Sequence, residues 1–144
     1  MQLGKFSDYG LRVLIYLATA HPNRASVAEM ARRFELSEHH LAKVCSRLVN
    51  GGFLHSERGR SGGLSLARPA DQIRLGAALR CLSDQSALVE CFGSGPCSCR
   101  ILPFCGVRAP LADAIEAFYT SLDTHSLADV TTDRAGLRTL LLTD

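Results

Sequence analysis

The first part of the chain carries apolar residues at the spacing of an amphipathic helix. From Ser7 to Ala20 they recur every three or four residues, which predicts a helix with one buried face. The segment His21-Pro22-Asn23 ends this helix, because proline cannot continue it. The predicted buried positions are Leu11, Leu14, Ile15 and Ala18.

Two short helices joined by a tight turn follow. Ser26 and Glu29 have the spacing of a capping box and predict a helix that ends near residue 33. After a turn at residues 34–36, Ser37 caps a third helix over residues 38–50. The apolar positions of the third helix are Leu41, Val44 and Leu48. Two helices in this arrangement are typical of a helix-turn-helix.

A glycine-rich β-hairpin is predicted directly after the third helix. Residues 53–58 and 64–67 have the pattern of two strands, and the basic segment Gly59-Arg60-Ser61-Gly62-Gly63 joins them. The adjacent glycines also fit a plain hairpin turn. Because the hairpin follows a helix-turn-helix, we interpret it as the wing of a winged helix. An arginine at its tip suits the narrow, electronegative minor groove of DNA.

The second half of the chain predicts a helix, an irregular loop and a longer helix. Apolar spacing indicates a helix over residues 73–83, and glycines and prolines break regular structure between residues 91 and 105. The long helix covers residues 106–124 and has Pro110 in its first turn, where proline is tolerated. Its apolar face consists of Leu111, Ile115, Phe118 and Leu122.

These elements predict a mainly α-helical fold with a small β-hairpin wing. The expected parts are a winged helix-turn-helix DNA-binding domain (residues 1–83), a cysteine-rich loop (84–105), and a dimerisation helix with a C-terminal segment (106–144). We expect the N-terminal domain to fill its own core. The long helix then needs a partner, which predicts a two-fold homodimer.

Charge is distributed unevenly along the 144 residues. The net charge is +2, but residues 1–80 hold 12 Lys/Arg against 6 Asp/Glu, and residues 81–144 hold 4 against 8. A basic first half suits nucleic acid, although ordinary scatter of surface charge is the competing explanation. No apolar run approaches the roughly 20 residues of a membrane span, and the first residues lack the pattern of a secretory signal. We therefore expect a cytoplasmic protein with no membrane partner.

The predicted partner is double-stranded operator DNA. Residues early in the third helix are expected to face the major groove, and arginines of the wing are expected to reach the minor groove. The major-groove candidates are Ser37, His39, His40 and Lys43, and the wing candidates are Arg58 and Arg60.

Four of the six cysteines lie within fifteen residues of one another. They are Cys91, Cys97, Cys99 and Cys105. The other two, Cys45 and Cys81, stand in predicted helices and are expected to pack as small apolar side chains. In a reducing cytoplasm, metal or redox chemistry explains such a cluster better than disulfides do. The spacing allows either an iron–sulfur cluster or a zinc site made of all four thiolates.

Motifs spread over nearly the whole chain resemble one family. They are Phe6-Ser7-Asp8-Tyr9-Gly10-Leu11-Arg12, Arg58-Gly59-Arg60-Ser61-Gly62-Gly63, Ala67-Arg68-Pro69-Ala70 and Cys99-Arg100-Ile101-Leu102-Pro103-Phe104-Cys105. Each motif alone is weak. Together they are similar to the Rrf-type winged-helix transcription regulators, and within that family to the nitric-oxide-sensing iron–sulfur repressors, whose C-x-I-x-P-x-C pattern matches the last segment.

The resemblance implies a homodimer with one iron–sulfur cluster per subunit, of the [4Fe–4S] type with [2Fe–2S] as the alternative. It assigns thiolate ligand roles to Cys91, Cys99 and Cys105, and a fourth, oxygen ligand role to Asp8 of the partner subunit. Cys97 is an additional thiol and the alternative to Cys99, which we prefer because it keeps the family's spacing to Cys105. Without the resemblance, Asp8 is explained by its favourable position near a helix N-terminus.

The implied function is that of a transcriptional repressor and not of an enzyme. Nitric oxide is the expected effector, because nitrosylation or loss of the cluster is expected to displace Asp8 and release operator DNA. Arg12, one turn from Asp8, is expected to relay the change or to contact a phosphate. Iron availability or the redox state of the cluster is the alternative effector. A thiol oxidoreductase that uses Cys97 and Cys99 is less favoured, because no thioredoxin-like alternation of strands and helices surrounds them.

Overall fold

The computed structural model of the protein describes residues 3–59, 62–83, 88–93 and 95–143. Over these residues the chain forms six α-helices and one two-stranded hairpin, so the predicted mainly helical fold with a hairpin wing is confirmed. The helices and strands are α1 Lys5–Ala20, α2 Val27–Arg33, α3 Glu38–Asn50, β1 Leu54–Glu57, β2 Gly63–Leu66, α4 Leu75–Leu82, α5 Arg108–Asp123 and α6 Arg134–Leu142. Within the described stretches, none of the helices combines the length and the apolar character that crossing a bilayer requires.

Helix α1 lies at the centre of the fold. It contacts α3, α4, α6 and β2, and its second half is buried on nearly every side. The sequence pattern predicted one buried face, but Val13, Tyr16 and Leu17 are buried as well as Leu14 and Ala18. Neighbours on several sides explain the difference, since they leave little of the second half of α1 in contact with solvent.

The helix-turn-helix consists of α2 and α3. The Ser26 hydroxyl accepts a hydrogen bond from the Glu29 amide at 3.1 Å, which is one half of the predicted capping box. The other half is wrong, because the Glu29 carboxylate accepts a hydrogen bond from the Tyr16 hydroxyl at 2.7 Å. The Ser37 hydroxyl accepts from the His40 amide at 3.4 Å, so Ser37 caps α3 as predicted. A long-range contact has therefore replaced a local one at Glu29.

The wing pairs β1 and β2 in antiparallel register, with Leu54 opposite Leu66. A bridge between Ala25 and Leu64 adds a short third segment to the hairpin. Gly59 has a φ of +116°, a conformation that favours glycine. A Cβ added to Gly62 would overlap the carbonyl oxygen of Glu57, so the turn itself requires this glycine.

The chain returns to the N-terminal core after α5. Leu127 is fully buried within the cluster that α1 and α3 build, so the expectation that residues 1–83 fill their own core is wrong. Helix α6 then packs against α1. It was not predicted, although the Asp133 side chain caps it by accepting from the Gly136 amide at 3.0 Å. The predicted division at residues 83 and 105 stays a prediction.

Candidate nucleic-acid interface and metal centre

The predicted DNA-reading residues lie together on one surface. The apolar side chains of α3 are buried against the core, which leaves its opposite side in solvent. Ser37, His39, His40 and Lys43 are all exposed there, at the beginning of the helix. The His39 and His40 ring centroids are 6.1 Å apart. The start of α3 therefore presents donors and acceptors of the kind that read base edges.

Hydrogen bonds join the end of α3 to α4. The Arg47 guanidinium donates to the Cys81 carbonyl oxygen at 2.8 Å, and the Cys81 thiol donates to the Arg47 carbonyl oxygen at 3.7 Å. Cys81 is half-buried in this contact, whereas Cys45 is buried and burial raises its pKa to about 12. The prediction that Cys45 packs as an apolar side chain is confirmed. No local sequence pattern pointed to the Arg47–Cys81 pair.

The base of the wing is fastened to the loop between α1 and α2. The Arg24 guanidinium forms an ion pair with the Glu57 carboxylate at the end of β1. Arg58 follows directly and is exposed, so it is placed where a wing residue can contact DNA. Arg60, the other predicted wing arginine, lies outside the described residues.

Asp8 and Arg12 face each other across one turn of α1. The Arg12 guanidinium donates to both carboxylate oxygens of Asp8, at 2.9 and 3.2 Å. The side chains keep 43% and 44% of their surface exposed for Asp8 and Arg12, so another group can reach the pair from solvent. Asp8 also stands in the first turn of α1, as the alternative explanation by helix position requires.

The cysteine loop contains four thiols, but the described residues do not bring them together into a metal site. Cys91, Cys97, Cys99 and Cys105 are free and half-buried. Among the described residues, no three His, Cys, Asp or Glu side chains are arranged to hold a metal ion. The donor chemistry fits an iron–sulfur cluster, since thiolates are its usual ligands, and it fits zinc equally well. A single chain thus provides the thiolate donors. To bind one metal centre, these donors would have to move closer together or be joined by donors from a second chain.

A carboxylate links the beginning of this thiol-rich segment to its middle. One oxygen of Glu90 accepts hydrogen bonds from the Ser98 amide at 2.7 Å and from the Ser98 hydroxyl at 2.9 Å. These two bonds hold the pKa of Glu90 below its ordinary value. Glu90 precedes Cys91, and Ser98 separates Cys97 from Cys99. The sequence gives no sign of this contact beyond the presence of an acid beside a cysteine.

Helix α5 packs against α4 through its second half, and none of its residues is fully buried. Arg80 of α4 pairs with Asp123 and, at 2.7 Å, with Glu116. None of the sixteen residues of α5 is buried. Its half-buried positions include the predicted apolar face Leu111, Ile115, Phe118 and Leu122. The apolar surface extends into the preceding segment, where Ile101, Phe104 and Val107 are 64%, 96% and 59% exposed.

Comparison with known proteins decides the family. Residues 3–133 match the family model Rrf2, described as an iron-dependent transcriptional regulator. The chain belongs to the Rrf2 family. This Rrf2 chain is 40% identical over 142 residues to the HTH-type transcriptional regulator NsrR of Geobacillus kaustophilus, a match that covers 98% of this chain and 97% of that protein. The predicted family is thereby confirmed.

Solved structures agree with the assignment to Rrf2. CymR of B. subtilis, described as the global cysteine regulator of that organism, has a TM-score of 0.68 and 27% identity, over 92% of this chain and 97% of that one. IscR of T. potens has the same fold, with a TM-score of 0.71 and 24% identity over 92% and 88%. The Rrf2 chain described here is therefore a DNA-binding transcription regulator and not an enzyme, as predicted, and the thiol-oxidoreductase alternative is set aside.

Proposed function

We propose that this Rrf2 protein is a dimeric, cytoplasmic repressor that releases operator DNA when nitric oxide reacts with an iron–sulfur cluster. The observation that carries the proposal is the pattern Cys99-x-Ile101-x-Pro103-x-Cys105 in a chain 40% identical to an NsrR regulator. The half-buried thiols of this segment have the donor chemistry that the cluster requires.

Four side chains of the dimer would hold each cluster. They are Cys91, Cys99 and Cys105 of one subunit and Asp8 of the other, with Cys97 as the alternative to Cys99. The cluster is proposed to be [4Fe–4S], with [2Fe–2S] as the alternative, and when bound it supplies iron that reacts with nitric oxide. Among these ligands Asp8 is the weakest, because a carboxylate is a harder donor than a thiolate.

The carboxylate of Asp8 has two competing partners in this proposal. Within its own chain it pairs with Arg12 at 2.9 Å. As a ligand in the dimer, the same carboxylate would turn toward the neighbouring subunit's cysteine loop and leave Arg12 free. Because α1 contacts α3 and α4, a change at Asp8 and Arg12 acts on the helix that supports the DNA-reading surface. Arg12 is therefore proposed as the relay.

The proposed DNA contacts follow from exposure. Ser37, His39, His40 and Lys43 would enter the major groove, and Arg58 with Arg60 would approach the minor groove. Two subunits would place these surfaces on half-sites about 34–36 Å apart, one turn of DNA. Coupling between the effector and DNA sites is typically worth about 1–3 kcal/mol, so release should lower the affinity for DNA by about 5- to 150-fold.

The dimer is proposed to form along α5. This helix buries none of its own residues, and a large apolar patch on a soluble protein usually marks an interaction surface. The exposed side chains of Ile101, Phe104 and Val107 would extend the interface toward the cysteine loop. Sedimentation of the wild type and of Ile115→Glu tests this: the wild type should be dimeric and the variant monomeric.

The effector is tested on protein purified without oxygen. An operator fragment is first selected from a random duplex library by the anaerobic protein. Iron and acid-labile sulfide are then measured, and binding of the fragment is followed while nitric oxide, oxygen or a chelator is titrated. Release at the lowest dose of nitric oxide is expected. Protein without iron and sulfide, whose DNA binding does not change after reconstitution, would contradict the proposal.

The ligand assignment is tested by single substitutions. Cys91→Ala, Cys99→Ala and Cys105→Ala should each abolish the visible absorbance of the cluster, and Cys97→Ala should keep it. The reverse result for Cys97 and Cys99 would exchange their roles. Loss in all four variants, with stoichiometric zinc in the wild type, would instead favour the four-thiolate zinc site.

One observation favours a second effector. The family model that matches this chain is described as iron-dependent. If chelator or oxygen releases DNA at lower dose than nitric oxide, iron availability or the redox state of the cluster is the signal. The same titration distinguishes the two.

A further inference from the structure

The Glu90 carboxylate spans the cysteine loop from one thiol-bearing segment to another. It stands in the 3₁₀ turn Glu90–Phe92, which contains Cys91. A single oxygen, Oε1, accepts both the amide and the hydroxyl of Ser98, eight residues further on. Cys91 adjoins Glu90, and Cys97 and Cys99 adjoin Ser98. Because neighbouring Cα atoms are about 3.8 Å apart, the two hydrogen bonds also limit the distance from Cys91 to Cys97 and Cys99.

Other hydrogen bonds of the loop are local. In its described part, backbone bonds join Phe92 to Val89, Gly93 to Glu90, Leu102 to Cys99, Phe104 to Ile101 and Cys105 to Leu102. Each of these bonds joins residues three positions apart. Each therefore fixes a single turn and does not connect that turn to another one. Within those residues the Glu90–Ser98 contact is thus the hydrogen bond that relates the two thiol-bearing segments.

We infer that Glu90 is a positioning residue that holds the Cys97–Cys99 segment beside Cys91 before any metal binds. The inference rests on the proposed function for its purpose, the assembly of a cluster on these thiols. Its physical basis is independent of metal: closing a flexible loop costs conformational entropy, and a contact that already closes it reduces that cost. Glu90 itself is not proposed as a ligand.

Reduced, iron-free, full-length protein tests the positioning directly. Treatment with diamide forms disulfides at rates that depend on how often two thiols meet, and peptide mapping identifies those that join Cys91 to Cys97 or Cys99. Glu90→Ala should slow these disulfides by about threefold to tenfold, the range expected for loss of modest hydrogen bonds. Glu90→Gln keeps an acceptor in place and should fall between Glu90→Ala and the wild type.

The matched control is Asp113→Ala. It removes the same charge from an exposed position of α5 on the side away from its apolar face. This variant should form the disulfides at the wild-type rate, and all variants should unfold at the same temperature as the wild type. Equal disulfide rates in Glu90→Ala and Asp113→Ala would overturn the inference.

A second measurement separates the inference from the proposed function. Iron and sulfide are measured after reconstitution with limiting iron. Slower disulfide formation and reduced iron loading in Glu90→Ala, with full iron loading in Asp113→Ala, would support both the inference about Glu90 and the proposed function. If the wild type takes up no iron, the proposed function fails, and the disulfide rates still decide whether Glu90 positions the thiols.

Discussion

The guanidinium of Arg80 in α4 pairs with the carboxylate of Asp123 at the end of α5. The same carboxylate accepts a hydrogen bond from the Ala77 amide at 2.7 Å, and Arg80 lies 4.9 Å from the centre of the Tyr119 ring. These contacts fix one end of the long helix to the DNA-binding part of the chain. A change in the position of α5 therefore acts directly on α4.

The pairing predicts a dependence of stability on pH. The hydrogen bond from Arg80 holds the pKa of Asp123 below its ordinary value of 3.8. A carboxyl group with a lowered folded-state pKa stabilises the fold above the unfolded-state pKa, and this stabilisation is lost as the pH falls through the folded-state pKa. Asp123→Asn should be less stable than the wild type at pH 7 and should lose less stability between about pH 5 and pH 3. Urea unfolding at several pH values in this range measures both effects. The prediction is contradicted if the free energy of unfolding changes with pH in the same way for the two proteins.

Gly76 allows α4 and α5 to approach each other. A Cβ at this position would overlap the carbonyl oxygen of Tyr119 and the Asp123 carboxylate. Because backbone has to move to make room, Gly76→Ala should destabilise the protein by about 1–3 kcal/mol, although alanine favours helix. Gly4→Ala is the control, since a Cβ there meets nothing within 4 Å. Denaturant unfolding compares them, and a Gly76→Ala protein as stable as Gly4→Ala would show that α5 shifts freely.

The hydroxyl of Tyr16 joins α1 to the helix-turn-helix through Glu29. Tyr16 is fully buried, and burial together with the Glu29 carboxylate raises its pKa to about 12. Tyr16→Phe should cost about 1 kcal/mol of unfolding free energy, because it removes a hydrogen bond and leaves the ring in place. Tyr9→Phe serves as the control, as its hydroxyl donates to no described residue. Equal stability of the two variants would show that water replaces the Tyr16 hydroxyl without loss.

Lys43 tests the proposed DNA surface. It is exposed on α3 beside the two histidines, and its positive charge in the major groove should contribute to affinity and to salt dependence. Lys43→Ala should weaken operator binding and reduce the slope of log K against log salt by about 1. Fluorescence anisotropy at several salt concentrations measures this slope. Arg108→Ala removes an equal charge at the start of α5 and should leave the slope unchanged.

The helices of the DNA-binding part could be predicted because their sequences specify them locally. Ser26 and Ser37 cap α2 and α3 as predicted, and the buried positions of α3 follow its apolar spacing. Contacts between residues that are distant in sequence could not be predicted in this way, because they leave no local sequence pattern. The Glu29 carboxylate bonds to Tyr16 and not within its own capping box, and Leu127 completes a core that lies far from it in sequence.

The donor residues of the candidate metal centre could be predicted from the sequence, but their positions relative to one another could not. Four thiols within fifteen residues indicate metal chemistry through their number alone. Their geometry depends on contacts within an irregular loop, such as the one between Glu90 and Ser98. Such contacts are not encoded in the spacing of the cysteines.

The burial of Leu127 has a consequence for protein engineering. A fragment that stops before α5 would leave an unfilled space among α1, α3 and their neighbours, because this side chain reaches the core only after the chain has passed through the cysteine loop. Exchanging the thiol-bearing segment between regulators of this type therefore has to leave the returning segment of the recipient chain, with its leucine, in place. A graft that exchanges the thiol-bearing segment and α5 but retains residues 126–143 should preserve a folded reader of DNA.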